Sequence, residues 1–197
     1  MTSMPCWTVR VEDLFQATKV KCNRRRAFIA EKLMTESEAA NSAKVKRELL
    51  RHLVATVAYR GGLAVADAPE GFAGFHVDET TRAPGELLAH ICDLLEGSLH
   101  LVKGELVYLT STPLPWKEEI ARFFSAVKDF DSYLASNAPL ACPIEKLIQG
   151  PIGDALTHVG QIVMLRRIAG KPVRAEAYFT AEIIAGEINE NSFVKTG

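Results

Sequence analysis

The amino-acid sequence predicts an all-α protein, most economically a four-helix bundle with additional helical segments at its N- and C-terminal ends. Three observations lead there. Long stretches carry apolar residues at three- and four-residue spacing. No stretch sustains period-two alternation of β-branched residues. Glycine and proline gather mainly between the periodic stretches, where they act as stops. At 197 residues, the chain is long enough for one domain with a proper core plus an appendage.

Taken in order, the elements run as follows. Residues 11–33 can form a helix, but Val11, Leu14, Phe15, Val20, Phe28, Ile29 and Leu33 keep only a patchy helical period. The polar run "MTESEAANSAK" follows, and Met34 within it is an alternative start that would leave residues 1–33 outside the native protein. Residues 1–40 are therefore set apart as an N-terminal extension, and 41–197 as the domain. The first bundle helix spans about Ser42 to Asp67, with Val45, Leu49, Leu53, Val57 and Leu63 on its stripe; Gly61 and Gly62 let a neighbour approach closely. "DAPEGFAGFHVDETTRAPG" reads as a long loop docked by Phe72 and Phe75. A second helix runs from about Pro84 to Lys103, opened by Pro84 and Glu86, with Leu87, Ile91, Leu94, Leu95 and Leu99 inward. The third spans about Trp116 to Ser136, with Ile120, Phe123, Phe124, Val127, Phe130 and Leu134 on one side. The fourth runs from about Pro143 to Ala169 and stops at Gly170 and Pro172. The tail "AEAYFTAEIIAGEINENSF" offers one more short helix.

Composition narrows the function classes. The formal charge is −1, so no global basic field draws the chain to nucleic acid or anionic lipid. The basic run "KCNRR" with Arg26 is a solvated helix face rather than a binding arm. Cys6, Cys22, Cys92 and Cys142 form no C-x-x-C pair, which argues against a disulfide framework or thiolate zinc site and for free thiols in a reducing compartment. The start lacks the basic and apolar regions of a signal peptide, and no apolar stretch reaches membrane-spanning length. A cytoplasmic protein is expected.

The histidines carry the candidate chemistry. His52, His76 and His100 read as solvent-facing. His90 sits at the edge of the Leu87/Ile91/Leu94 stripe, and His158 borders the stripe of Ala155, Val159 and Ile162. Asp154 precedes His158 by four residues, so a helix puts both on one face. A carboxylate among Leu147, Pro151, Ile162 and Leu165 needs a partner, because an unpaired buried charge is costly. Three readings stand side by side. Asp154 and His158 form a hydrogen-bonded polar spot; or His90, Asp154 and His158 converge on one divalent ion; or Asp154 orients a ligating His158 from behind.

"TRAPGELLAHICDLLEG" and "IGDALTHVGQIVMLRRIAGKPV" raise the metal reading. From about Ser42 to Gly186 the chain resembles the DinB-like (DinB/YfiT-like) superfamily of helical bundles. In that family the second helix carries a histidine, matched by His90 in "AHICDL", and the fourth carries H-x-x-x-H before a G-Q pair, matched by "DALTHVGQ". The tail "AEAYFTAEIIAG" also looks like the ending of a cytoplasmic branch. The departure is Asp154, where the family has a histidine. It makes the site one unit more negative, harder and less nickel-like, or marks a lost site.

The resemblance implies a divalent metal, zinc or nickel first and iron or manganese next, in a thiol transferase or hydrolase that uses a low-molecular-weight thiol or another small molecule. The alternative is a non-catalytic bundle that binds a small molecule or partner. Tyr59, Arg60 and Gln161 are candidate substrate contacts. A homodimer is expected, with Trp116, Phe123 or Phe124 as apolar surface; no nucleic-acid or membrane partner is expected.

Overall fold

The computed structural model describes residues 11–136 and 138–188, with side chains from residue 31 onward. Every regular element among the described residues is helical, and none is a strand. The helices are α1 (Val11–Val65), α2 (Pro84–Val102), α3 (Trp116–Ala135), α4 (Ile144–Leu147) and α5 (Gly153–Ile168). None is long and apolar enough to cross a membrane.

The chain divides into two compact units between Val45 and Lys46. In the first, residues 31–45 of α1 are exposed, and Lys32 and Glu36 form a loose ion pair at 3.9 Å. The polar run expected to separate two helices is itself helical. No glycine or proline occurs between residues 11 and 60, and Ala, Glu, Lys and Met are strong helix formers. The basic run of residues 21–26 has its side chains outside the described set.

The second unit holds the core. Leu50, Val54 and Val57 of α1, Leu88, Ile91 and Leu95 of α2, Phe123, Val127 and Phe130 of α3, and Ala155, Val159 and Ile162 of α5 join one buried cluster. Gly61 is the close approach its sequence position suggested: a Cβ there would stand 2.5 Å from Cζ of Phe123. Phe72 docks the loop after α1 and meets Trp116 edge-on at 5.7 Å. Phe123 is fully buried, so it is core and not the dimer surface proposed for it.

Two arginines close helix ends from neighbouring helices. A helix leaves its last carbonyls unpaired and negative, and a guanidinium answers both needs. Arg47 of α1 donates to the carbonyls of Leu134, Ser136 and Ala138 at the end of α3. Arg166 of α5, only 3% exposed, donates to Ala64, Ala66 and Asp67 at the end of α1, and to Lys171. Burial lowers the pKa of Arg166 from its ordinary value. Asp67 beside it takes a left-handed φ of 50° as α1 ends.

Two predicted elements differ. The expected fourth helix is broken: a π-helical turn at Ile148–Ile152 separates α4 from α5, and Gly150 leaves helical geometry at φ −98°, ψ −106°. Pro151 is the cause, because its ring disfavours α geometry in the residue before it. The tail forms no further α-helix within the described residues. It has a single 3₁₀ turn at Tyr178–Thr180, and residues 189–193 of the predicted helix lie outside the described residues. Its contacts run back along α1 instead: Glu176 on Tyr59, Tyr178 on Arg60, Gly186 against Arg51. A lone short helix would be marginal.

Candidate metal centre

α2 and α5 build the centre. α2 starts sharply because Pro84 occupies its first turn and the Glu86 carboxylate accepts the Ala83 N–H at 2.8 Å. Six residues after Pro84, the helix brings His90 to the face that meets α5. On the other side, the π-helical turn re-aims the chain so that Asp154 falls in the first turn of α5, at the positive end of its dipole.

The three side chains meet. His158 Nε2 lies 3.3 Å from Asp154 Oδ1, and His90 Nε2 lies 3.5 Å from Asp154 Oδ2. The imidazoles cross nearly perpendicular, with centroids 4.9 Å apart. One donor atom from each residue lies within 4.8 Å of the others. The His158 side chain is 12% exposed, His90 35% and Asp154 47%. The carboxylate is thus not the buried charge the helical wheel suggested; it stands at the open mouth, and His158 is the sheltered member.

Gln161 fixes the polarity of the group. Its Oε1 lies 2.8 Å from His158 Nδ1, and the Nδ1–H donates to it. In the neutral ring, Nε2 then turns a lone pair toward the Asp154 carboxylate, itself only an acceptor. Lone pairs 3.3 Å apart repel unless a positive centre lies between them. Tetrahedral coordination with bonds of about 2.0–2.1 Å places donors about 3.3 Å apart, so the donor set fits a divalent ion.

The other sequence candidates lie elsewhere. Tyr59 and Arg60 are not brought to the histidines. The Tyr59 hydroxyl donates to Glu176 Oε1 at 2.5 Å, and Arg60 stacks 4.5 Å from the centroid of the Tyr178 ring. Burial first, then the Glu176 bond, pushes the Tyr59 pKa up to about 12. His52 and His76 are exposed, as expected, and His100 is half-buried with its Nδ1 2.5 Å from Glu105. Cys92 and Cys142 are free thiols whose pKa values burial raises, which makes them poor nucleophiles.

Beside His158 opens a cleft of about 690 Å³, bordered along α5 by Gln161, Met164, Leu165 and Ile168 and across from it by Val77 and Arg82. Of these, sequence reasoning named Gln161 as a substrate contact and missed Val77, Arg82, Met164, Leu165 and Ile168. The available signal was that α5 carries large apolar side chains, Met164 and Ile168, off its inward stripe. Compared with protein-family models, curated proteins and solved structures, the chain matches none.

Proposed function

We propose that the chain is a DinB-like four-helix bundle and a metal-dependent enzyme of thiol-transferase or hydrolase type. His90 Nε2, His158 Nε2 and one Asp154 oxygen would hold a divalent ion, zinc or nickel before iron or manganese. The observation that carries this reading is the convergence of three acceptor atoms within 4.8 Å, with Gln161 turning the His158 lone pair inward. A divalent ion so held lowers the pKa of a thiol or water at an open position. The chain's own residues set the stage: Gln161 holds the tautomer, His158 is shielded by the cleft wall, and half-exposed Asp154 leaves the mouth open to a small substrate. The same reading makes it a cytoplasmic homodimer acting on a small molecule such as a low-molecular-weight thiol, without nucleic-acid or membrane partners.

A second reading rests on the 3.3 and 3.5 Å separations, which also suit a carboxylate bonded by two protonated imidazoles in a non-catalytic bundle. Elemental analysis after purification without a histidine tag separates the two. The enzyme reading expects about one zinc or nickel per chain, lost in His90→Ala and His158→Ala. An ion present at a hundred times its Kd adds about 2.7 kcal/mol, so chelation should lower Tm by roughly 5–10 °C. Metal-free protein whose melting ignores chelator leaves the non-catalytic reading.

A further inference from the structure

The cleft beside His158 has a consistent chemistry from end to end. His158, Gln161, Leu165 and Ile168 recur at three- and four-residue spacing, so one stripe of α5 forms its floor over about 15 Å. The middle is apolar. Met164, Ile168 and Val77 are 57%, 52% and 49% exposed, and all three border this one cleft. Large apolar side chains left to water around a concavity mark a binding surface.

The two helices run in opposite directions along it. His90 faces Asp154 and His158, while Leu87, one turn earlier on α2, borders the cleft with residues farther along α5. Arg82 lies two residues before α2, whose first residue, Pro84, already stands about 9 Å along the axis from His90. It is therefore at the end remote from the histidines. Among the described residues, Arg82 is the only Lys or Arg on the lining, no carboxylate lines the cleft, and exposed Arg82 has no ion-pair or hydrogen-bond partner. The turn that presents it is preformed: Asp78 Oδ1 accepts the Thr80 N–H and hydroxyl at 2.8 and 2.7 Å and the Thr81 N–H at 3.1 Å. Those bonds, that from the Thr80 hydroxyl foremost, hold the Asp78 carboxyl below its ordinary pKa. Asp78 Oδ1 is thereby taken up within the turn, and Asp78 forms no ion pair with Arg82.

We infer that this cleft binds a small amphipathic monoanion, a carboxylate with an apolar body of medium-chain length, its anionic group on Arg82 and its opposite end toward His158. The inference names the substrate class of the site proposed above and rests on that reading for its chemistry, though not for binding. An apolar body displaces water from Met164, Leu165 and Ile168, and Arg82 supplies a fork that matches a carboxylate.

Calorimetric titration of the full chain with octanoate and with octanamide, its neutral isostere, tests it. Both titrations are run on chelator-stripped and on zinc-loaded protein. Octanoate should bind stripped protein saturably at one site, about tenfold or more tighter than octanamide. Arg82→Ala should remove that preference and leave octanamide binding unchanged; Met164→Glu, at an exposed position, should abolish octanoate binding. Equal affinity for the two ligands, indifference to Arg82→Ala, or no saturable binding would overturn the inference. Octanoate binding to a protein that takes up no zinc would preserve the ligand class and defeat the metal reading alone.

Discussion

The chemistry of the candidate centre turns on which nitrogen of His158 is free. Gln161 Oε1 takes the Nδ1 hydrogen and so leaves Nε2 as the inward donor. Partners of this kind behind a ligand typically contribute 10–100-fold to metal affinity. Gln161→Ala should therefore weaken zinc binding by about that factor while leaving Tm of the chelated protein nearly unchanged, because Gln161 is exposed. Competition with a chromogenic chelator reads the affinity; an unaltered constant removes Gln161 from the site. Asp154→His should shift preference toward nickel, since a neutral imidazole replaces a hard anionic oxygen. At this scale much was legible from sequence. The four-residue spacing places Asp154 and His158 on one face of any helix, and His90 was singled out by its place at the edge of an apolar stripe and then by the family-like motif. The exposure of Asp154 was not legible, because the helical wheel assumed an unbroken helix through Pro151. Nor was the role of Tyr59 and Arg60, which depends on where a tail more than a hundred residues away comes to rest.

At the scale of elements, the packing of α1 on α3 depends on a missing side chain. A Cβ on Gly61 would lie 2.5 Å from the Phe123 ring, which is wholly buried and meets Phe124 at 5.1 Å. Gly61→Ala gains helix propensity of up to about 1 kcal/mol. It also forces the ring into an occupied core, at about 1–3 kcal/mol. The net expectation is a destabilisation of up to about 2 kcal/mol in urea unfolding. Phe123→Leu in the same chain should recover part of it, so that the two changes together cost less than their sum. Additive losses would mean that the helices separate without strain. Helix existence was legible here because apolar periodicity over 15 or more residues is hard to mistake. Continuity was harder. The run of residues 34–44 looked like a linker because it is polar, yet nothing in it breaks a helix; "QGPIG" looked helical because its neighbours are apolar, yet Pro151 forces Gly150 out of the helix.

For the molecule as a whole, ionic groups sealed between elements tie down the irregular connection between α2 and α3, and periodicity says nothing about them. Asp93 of α2 is 6% exposed and Glu119 of α3 is fully buried. Both serve the irregular segment between their helices. Asp93 accepts the Ser111 N–H at 2.8 Å and hydroxyl at 2.6 Å; Glu119 accepts the Leu114 N–H at 2.7 Å. Arg122 bridges Asp93, Glu96 and Glu119 and keeps both buried carboxylates paired. Burial alone would raise the Asp93 pKa, but the bonds from Ser111 and Arg122 outweigh it and hold the carboxyl below its ordinary 3.8. A carboxyl depressed on folding binds fewer protons in the native chain than in the unfolded one, so stability rises with pH across the interval between the two values. Its contribution is complete above the unfolded value near 3.8 and is lost as pH falls through the lower folded value. Asp93→Asn keeps the shape, removes the charge, and leaves Arg122 two other carboxylates. The variant should lose about 1.5–3 kcal/mol at pH 7, the usual worth of hydrogen bonds to a charged group. That deficit should shrink steadily once pH drops below 3.8, where the wild-type carboxyl also becomes protonated. Urea titrations from pH 7 down to the acid limit measure both curves. A deficit that stays constant to the lowest pH would show that Asp93 acts through its shape and not its charge, and that the 104–115 segment is held chiefly by Glu119.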